Sequence, residues 1–212
     1  MGINVNEIFY SIQGESTYAG LACVFVRLCG CNLRCRYCDT RYAYDEGQQM
    51  EIGEIVDKVS GFGCGLVEIT GGEPLLQEET PALADALVAR GFDVLVETNG
   101  SLDISAVNDA CIKIVDIKCP SSGENDKNDM KNIGRLGHLD QVKFVIADRA
   151  DYVFAKKTSC SITAIPKSQV LFSPVYGLLA PATLAEWILK DALDVRLHLQ
   201  QHKTIWPDER GR

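Results

Sequence analysis

The chain has 212 residues and a mass of 23.3 kDa, is 46% hydrophobic and 24% charged, and carries 21 Lys and Arg against 29 Asp and Glu for a net charge of −8. This balance supports a buried core and excludes disorder or a fibrous repeat as a description of the whole chain. So acidic a chain has little general attraction for nucleic acid or anionic lipid, which excludes a sequence-independent nucleic-acid binder.

The N-terminal MGINVNEIFYSIQGE lacks a basic segment followed by an apolar one, so no signal peptide is read and the expected compartment is the cytoplasm. No apolar run approaches the ~20 residues of a membrane helix, and no membrane partner is expected. Glu7–Tyr10 is a weak strand candidate and Leu21–Leu28 a strong one. After a cysteine-rich segment, Ile52, Ile55, Val56 and Val59 share a helix face. Leu66–Thr70 reads as a strand, and Glu78 to Arg90 as a helix ended by Gly91. Asp93–Glu97 and Ile112–Ile117 are strands, and the polar Ser121–Asn132 is a loop with at most a short helix. Gln141–Ala147 is a strand, followed by a helix over Asp148–Ser159 with Asp148 as its cap. Ser161–Ile165 and Gln169–Phe172 are strands, and Thr183–Leu193 is a helix opened by a Thr183/Glu186 capping box. Val195–Leu199 is the last strand.

Several of these strands are nearly continuous apolar runs, as in a parallel sheet covered on both faces. The alternation predicts one α/β domain over residues 1–212. Its expected fold is a partial, reduced TIM-like (β/α)6 barrel of mostly parallel strands, because a full barrel takes roughly 250 residues. Chemistry is then expected just after the apolar runs, at the strands' C-terminal ends.

Nine cysteines stand at positions 23, 29, 31, 35, 38, 64, 111, 119 and 160. In a cytosolic chain such a cluster points to metal or redox work rather than disulfides. Cys31, Cys35 and Cys38 follow the first strong strand with the spacing C-x3-C-x2-C, inside a cluster loop over 29–40. Three thiolates in a tight loop suit three irons of a cubane and leave the fourth iron open to a ligand. The alternative is a structural zinc site with Cys29 or Asp39 as fourth ligand, although no second close dyad is present. Buried structural roles account for Cys23 and Cys111, both read as lying within strands.

The three cysteines, with Tyr37 before the last, and the Gly71-Gly72-Glu73-Pro74 turn after Leu66–Thr70 together resemble the radical S-adenosylmethionine (SAM) superfamily. That resemblance implies a [4Fe-4S] cluster whose open iron is chelated by SAM, and reductive cleavage of SAM to a 5′-deoxyadenosyl radical. FYSIQGES at 9–16, VFVRLCGCNLRCRYCDT at 24–40, ITGGEP at 69–74, VETNG at 96–100 and LQQHK at 199–203 are more specific. They resemble the 7-carboxy-7-deazaguanine synthase family across nearly the whole chain. The resemblance implies conversion of 6-carboxy-5,6,7,8-tetrahydropterin to 7-carboxy-7-deazaguanine with release of ammonia, on the route to queuosine. It also implies Mg2+, a homodimer, and a reductant such as flavodoxin or ferredoxin.

Carried over residue by residue, the resemblance makes Cys31, Cys35 and Cys38 the cluster ligands and Thr40 the Mg2+ ligand. The pterin would meet Ile12, Gln13 and Gly14, largely through backbone, together with Thr70, Pro207 and the Arg27 fork for its carboxylate. Glu15 is read as an acceptor for the amino-pyrimidine edge. Tyr37 and Asp39 would lie near the adenine and ribose of SAM, with Gly72 and Glu73 at its methionyl end. Asp116, Ile117 and Lys118, where the family commonly shows Ser-Pro-Lys, and Ser173, Pro174, Val175 and Tyr176 are further SAM candidates. Asn99 is another site candidate, and no residue is assigned to catalysis. Family members use a tail residue near Pro207 to close over substrate. Here Asp208–Arg212 follow, so no terminal carboxylate falls at Pro207, and Trp206 is left to cover the ring or a dimer surface; the tail, 200–212, is placed near the site. Two other readings stand beside this one: a radical SAM activase that makes a glycyl radical on a partner enzyme, and a non-catalytic iron–sulfur protein.

Overall fold

The computed structural model describes residues 2–206 and 209–211. The strands are β1 (Gly2–Ile12), β2 (Ala22–Leu28), β3 (Gln48–Glu51), β4 (Leu66–Gly71), β5 (Asp93–Thr98), β6 (Ile112–Asp116), β7 (Gln141–Ile146), β8 (Val170–Pro174) and β9 (Arg196–Leu197). They form one sheet in the order β3-β1-β2-β4-β5-β6-β7-β8-β9, open at its two edges. β1 is antiparallel to both β2 and β3, and every pairing from β2 onward is parallel. β2 and β4 to β8 are the six longer parallel strands of a partial, reduced TIM-like barrel, and the two-residue β9 extends them.

The helices are α1 (Ile52–Ser60), α2 (Thr80–Ala89), α3 (Arg149–Ser159), α4 (Pro181–Lys190) and the short α5 (Gln201–Ile205). Alternation along the strands sorts their side chains between the two faces. Val24, Val26, Val67, Ile69, Val94 and Val96 pack against Ile55, Val56 and Val59 of α1 and Leu83, Ala84 and Leu87 of α2. Further along the sheet, Val142, Phe144, Ile146, Val170 and Phe172 pack against Tyr152 and Ala155 of α3 and Leu184 and Ile188 of α4. The opposite face carries an apolar floor of Cys23, Phe25, Leu66, Leu95 and Ile114. One or two steps nearer the C-terminal ends of the same strands, that face turns polar.

Local chemistry sets most helix ends. Asp148 accepts from the Asp151 amide at 2.9 Å and so caps α3 as expected. Gly91, at φ +91°, ends α2 in the left-handed region. The β5–β6 and β6–β7 connections carry only 3-10 turns, among them Pro120–Ser122, Asn125–Lys127 and Met130–Arg135. The polar 121–132 segment is therefore the loop its composition predicts.

The structure corrects the sequence reading at several points. Ser161–Ile165 is not a strand but irregular chain; its apolar residues Ile162 and Ile165 are buried as anchors in the α3–α4 core. Thr183/Glu186 does not open α4, which starts at Pro181 in the first turn behind Ala180, two residues earlier. A proline at that position is already preset for a helix start. Cys111 is buried but precedes β6 rather than lying in it. The weak Glu7–Tyr10 candidate is the middle of an 11-residue strand. β3, with the sequence QQME, has no apolar alternation to announce it.

Candidate functional site

A cavity of about 330 Å³ opens where the parallel strands end. Each strand delivers residues to it in turn: Arg27 from β2, Thr70 to Gly72 from β4, Glu97 to Asn99 from β5, Asp116 and Lys118 from β6, Lys143 and Val145 from β7, and Val175 and Tyr176 after β8. The β2–β3 connection brings Cys31, Cys35 and Cys38 to the same cavity.

The cysteine loop is held by backbone packing. Gly72 lies so close to Gly30 that a Cβ there would overlap the Gly30 carbonyl and sit 2.7 Å from the Cys31 Cβ. The Glu73 amide donates to the Gly30 carbonyl at 2.8 Å. The Glu73 side chain is buried and accepts from Leu75 N at 3.0 Å, the Thr98 hydroxyl at 2.8 Å and Asn99 N at 2.6 Å. It ties the β4 turn to the β5 turn. Gly72→Ala is expected to cost about 1–3 kcal/mol of overpacking, lowering SAM affinity roughly tenfold or more. Equilibrium SAM binding to the reconstituted protein measures this, and unchanged affinity would refute it.

The donor set fits an iron–sulfur cluster. All three thiols line one cavity, and the Leu33 amide points at the Cys31 sulfur at 3.4 Å, as amides do around cluster thiolates. Burial raises the Cys31 pKa, and that of Cys35 to about 11, with the Lys118 ammonium opposing the rise at both. A cationic metal group is what would hold them as thiolates. Cys29 is turned away, its Sγ 3.6 Å from the Tyr44 carbonyl, and so is no fourth ligand to a zinc here. Beside the thiols, Asp116 keeps Oδ1 buried without a hydrogen-bond partner among the described residues, while Oδ2 takes the Lys118 ammonium at 2.9 Å. An orphaned carboxylate oxygen in the cavity is a place for a donor-bearing ligand such as SAM.

Farther along the cavity the charges concentrate. Lys143, 6% exposed, donates to Glu15 at 2.8 Å and to Glu97, and lies 3.7 Å from Asp116. Burial alone would raise the Glu15 pKa. Lys143, His198, His202 and the Gln200 amide together more than reverse this, Lys143 most of all, and hold the carboxyl well below its usual range. Glu68, buried on β4, receives the Gln13 amide; burial with Glu97 and Glu15 nearby pushes its pKa well up. Arg27 is anchored through Nε to Glu7 at 2.8 Å. Thr70 donates to Glu97 at 3.3 Å.

The C-terminal segment crosses this region. The Gln201 amide donates to the Gly14 carbonyl at 2.9 Å, Gln200 donates to Glu15 at 2.7 Å, and Lys203 pairs with Asp39 at 2.8 Å. A Cβ on Gly14 would overlap the His202 ring, so the 12–15 loop and the tail fit only with glycine there. The Thr40 hydroxyl donates to Asp39 at 2.9 Å, and the Tyr37 hydroxyl to the Val145 carbonyl at 3.2 Å.

Most residues singled out from the sequence therefore meet. Ile12, Gln13, Gly14, Glu15, Arg27, Thr70, Gly72, Tyr37, Asp39, Thr40, Asp116, Lys118, Val175 and Tyr176 line the cavity with the three cysteines and Asn99. Glu73, Ile117, Ser173 and Pro174 are buried but do not line it. Gln13 contributes little free side chain, since its carbonyl oxygen also accepts the Glu15 amide at 2.9 Å. Pro207 lies outside the described residues. Sequence reasoning missed Glu68 and Lys143, and gave Glu97 only as the start of the Glu97–Gly100 strand end, a site position. Their signal is a charge interrupting an apolar strand at the alternation that faces the cavity. Among the described residues no helix is long and apolar enough to cross a membrane.

Comparison with known proteins gives a consistent picture. Residues 26–119 match the family described as the radical SAM superfamily. The 7-carboxy-7-deazaguanine synthase of Chlorobaculum tepidum is 48% identical over 99% of this chain and 97% of its own. The synthase of Koribacter versatilis is 45% identical over 99% and 100%. The crystal structure of QueE from Escherichia coli superposes with a TM-score of 0.80 over 95% of each chain at 21% identity, a likeness of fold.

Proposed function

Because the chain belongs to the 7-carboxy-7-deazaguanine synthase family of radical SAM enzymes, we propose that its cavity binds 6-carboxy-5,6,7,8-tetrahydropterin beside SAM and converts it to 7-carboxy-7-deazaguanine and ammonia. The observation that carries this reading is the convergence of the three cysteines, the strand-end SAM candidates, the Arg27 cation and the Glu15 anion on one cavity. In the same reading the whole chain is one domain, works in the cytoplasm as a homodimer, and takes electrons from a flavodoxin or ferredoxin.

Cys31, Cys35 and Cys38 hold the cluster. Gly72, Asp116 and Lys118 meet the methionyl end of SAM, and Tyr37 and Asp39 its nucleoside end. When bound there, a reduced cluster would supply the one-electron chemistry for reductive cleavage of SAM, and Mg2+ would supply positive charge beside the substrate. The protein's own task is then to hold a flat, polar substrate still. With Nε committed to Glu7, Arg27 offers its two terminal nitrogens end-on to the substrate carboxylate. Ionised Glu15, held by Lys143 and Gln200, accepts from the amino-pyrimidine edge. Phe9 and Phe25, stacked 4.9 Å apart, supply apolar wall. Thr40 presents its hydroxyl to Mg2+; a single hydroxyl suffices only if the substrate adds its own oxygens.

Anaerobic reconstitution with iron and sulfide tests this, followed by dithionite, SAM, Mg2+ and 6-carboxytetrahydropterin. Mass spectrometry is expected to find both 5′-deoxyadenosine and 7-carboxy-7-deazaguanine, with turnover falling when Mg2+ is omitted. Deoxyadenosine without the deazapurine would move the substrate elsewhere. Neither product from a verified, reducible cluster would overturn the reading.

A further inference from the structure

The residue that anchors Arg27 is itself anchored from the far end of the chain. Glu7 uses Oε1 for Arg27 Nε at 2.8 Å and for the Tyr42 hydroxyl at 3.1 Å. Its second oxygen, Oε2, accepts from Arg210 Nε at 3.2 Å. The same Arg210 guanidinium donates to Glu46 at 3.2 Å and to the Asn6 side chain at 3.0 Å. It lies 3.9 Å over the Tyr42 ring, and Arg27 lies 5.9 Å over that ring and 5.6 Å over Phe9. Arg210 does not line the cavity; Arg27 does. Glu7, Tyr42 and the two arginines thus form one unit that spans from the tail to the cavity wall.

We propose that Arg210 is a positioning residue for substrate: by occupying Glu7 Oε2 and stacking on Tyr42, it fixes the orientation in which Glu7 holds Arg27, and so preorganises the fork that receives a carboxylate. The proposal rests on the reading of Arg27 as the carboxylate binder. Physically, an isolated exposed ion pair is worth little. Arg210 makes three side-chain hydrogen bonds and one stacking contact from a single planar group, and planar forks transmit orientation in a way a point charge does not. Without Arg210, Glu7 can turn about its side-chain torsions and carry the Arg27 Nε with it. The carboxylate would then meet a fork that must be ordered on binding.

The test is calorimetric binding to the anaerobically reconstituted, SAM-loaded protein without reductant. Two probes are used, 6-carboxy-5,6,7,8-tetrahydropterin and 5,6,7,8-tetrahydropterin, which lacks the carboxylate. Arg210→Ala is expected to weaken the carboxylated ligand roughly three- to tenfold and to leave the other within twofold. Arg210→Lys is expected to recover part of the loss, since it restores charge without the fork. In turnover, KM should rise with kcat unchanged. Equal affinities in wild type and Arg210→Ala, or equal losses for both probes, would overturn the proposal. Wild type and Arg27→Ala report separately on the premise: if wild type does not favour the carboxylated probe, or Arg27→Ala favours it as strongly as wild type does, the carboxylate reading of Arg27 fails, and this proposal with it.

Discussion

Lys143→Met is expected to lower kcat/KM roughly a hundredfold or more and to destabilise the fold by about 3–5 kcal/mol. Lys143 is the buried cation among Glu15, Glu97 and Asp116. Methionine fills similar space but leaves those carboxylates facing one another, with buried Glu68 beside them. Removing one partner of a buried charge set strands the others, which costs far more than the set contributed. Burial would then dominate at Glu15, whose pKa Lys143 now holds down. On the proposed reading of Glu15 as an ionised acceptor, it would then protonate at higher pH than in wild type, so the acid limb of residual activity should move to higher pH. A second variant separates chemistry from folding. Lys143→Met/Glu97→Gln removes one charge of each sign; it should regain thermal stability while activity stays low. Wild-type activity in Lys143→Met would refute the assignment.

The second large effect is a contrast between cysteines. Cys35→Ala should abolish iron retention, the visible absorption of the cluster, and all product formation. Cys29→Ala should leave iron content and activity close to wild type, at the cost of a small cavity. The difference follows from geometry: Cys35 lines the cavity, whereas Cys29 is buried against the Tyr44 carbonyl. Iron analysis and SAM cleavage of both variants check this together. Loss of iron from Cys29→Ala would move the ligand assignment. A fourth protein thiolate would also take the coordination position that SAM needs.

Much of this was legible in the sequence because local chemistry and tertiary role agree there. Cys31, Cys35, Cys38 and the Gly71-Gly72 turn carry their meaning in spacing, and the six parallel strands announced themselves as apolar runs. What was not legible depends on which way a strand faces. Glu68 and Lys143 each sit inside an apolar run as a single charge, Glu97 closes one, and alternation turns all three toward the cavity. The same pattern misleads at Lys113 in β6, whose ammonium lies near Asp109 at 3.4 Å and Asp140 at 3.5 Å. It belongs to the opposite pleat, one residue out of step with Ile114 and Asp116. Ser161–Ile165 failed for a different reason: burial of Ile162 and Ile165 needs two apolar anchors, not a strand. The link from Arg210 to Glu7 joins positions too far apart for any local pattern to expose.

The unclosed sheet leaves two rows of backbone donors and acceptors that an eight-stranded ring would have consumed. Both are short. β3 is four residues with Gln48, Gln49 and Glu51 exposed, and β9 is two. Stubby or charge-bearing borders are poor templates for recruiting a strand from a neighbouring molecule. An open sheet bordered by such strands offers little ladder to extend at β3 and β9.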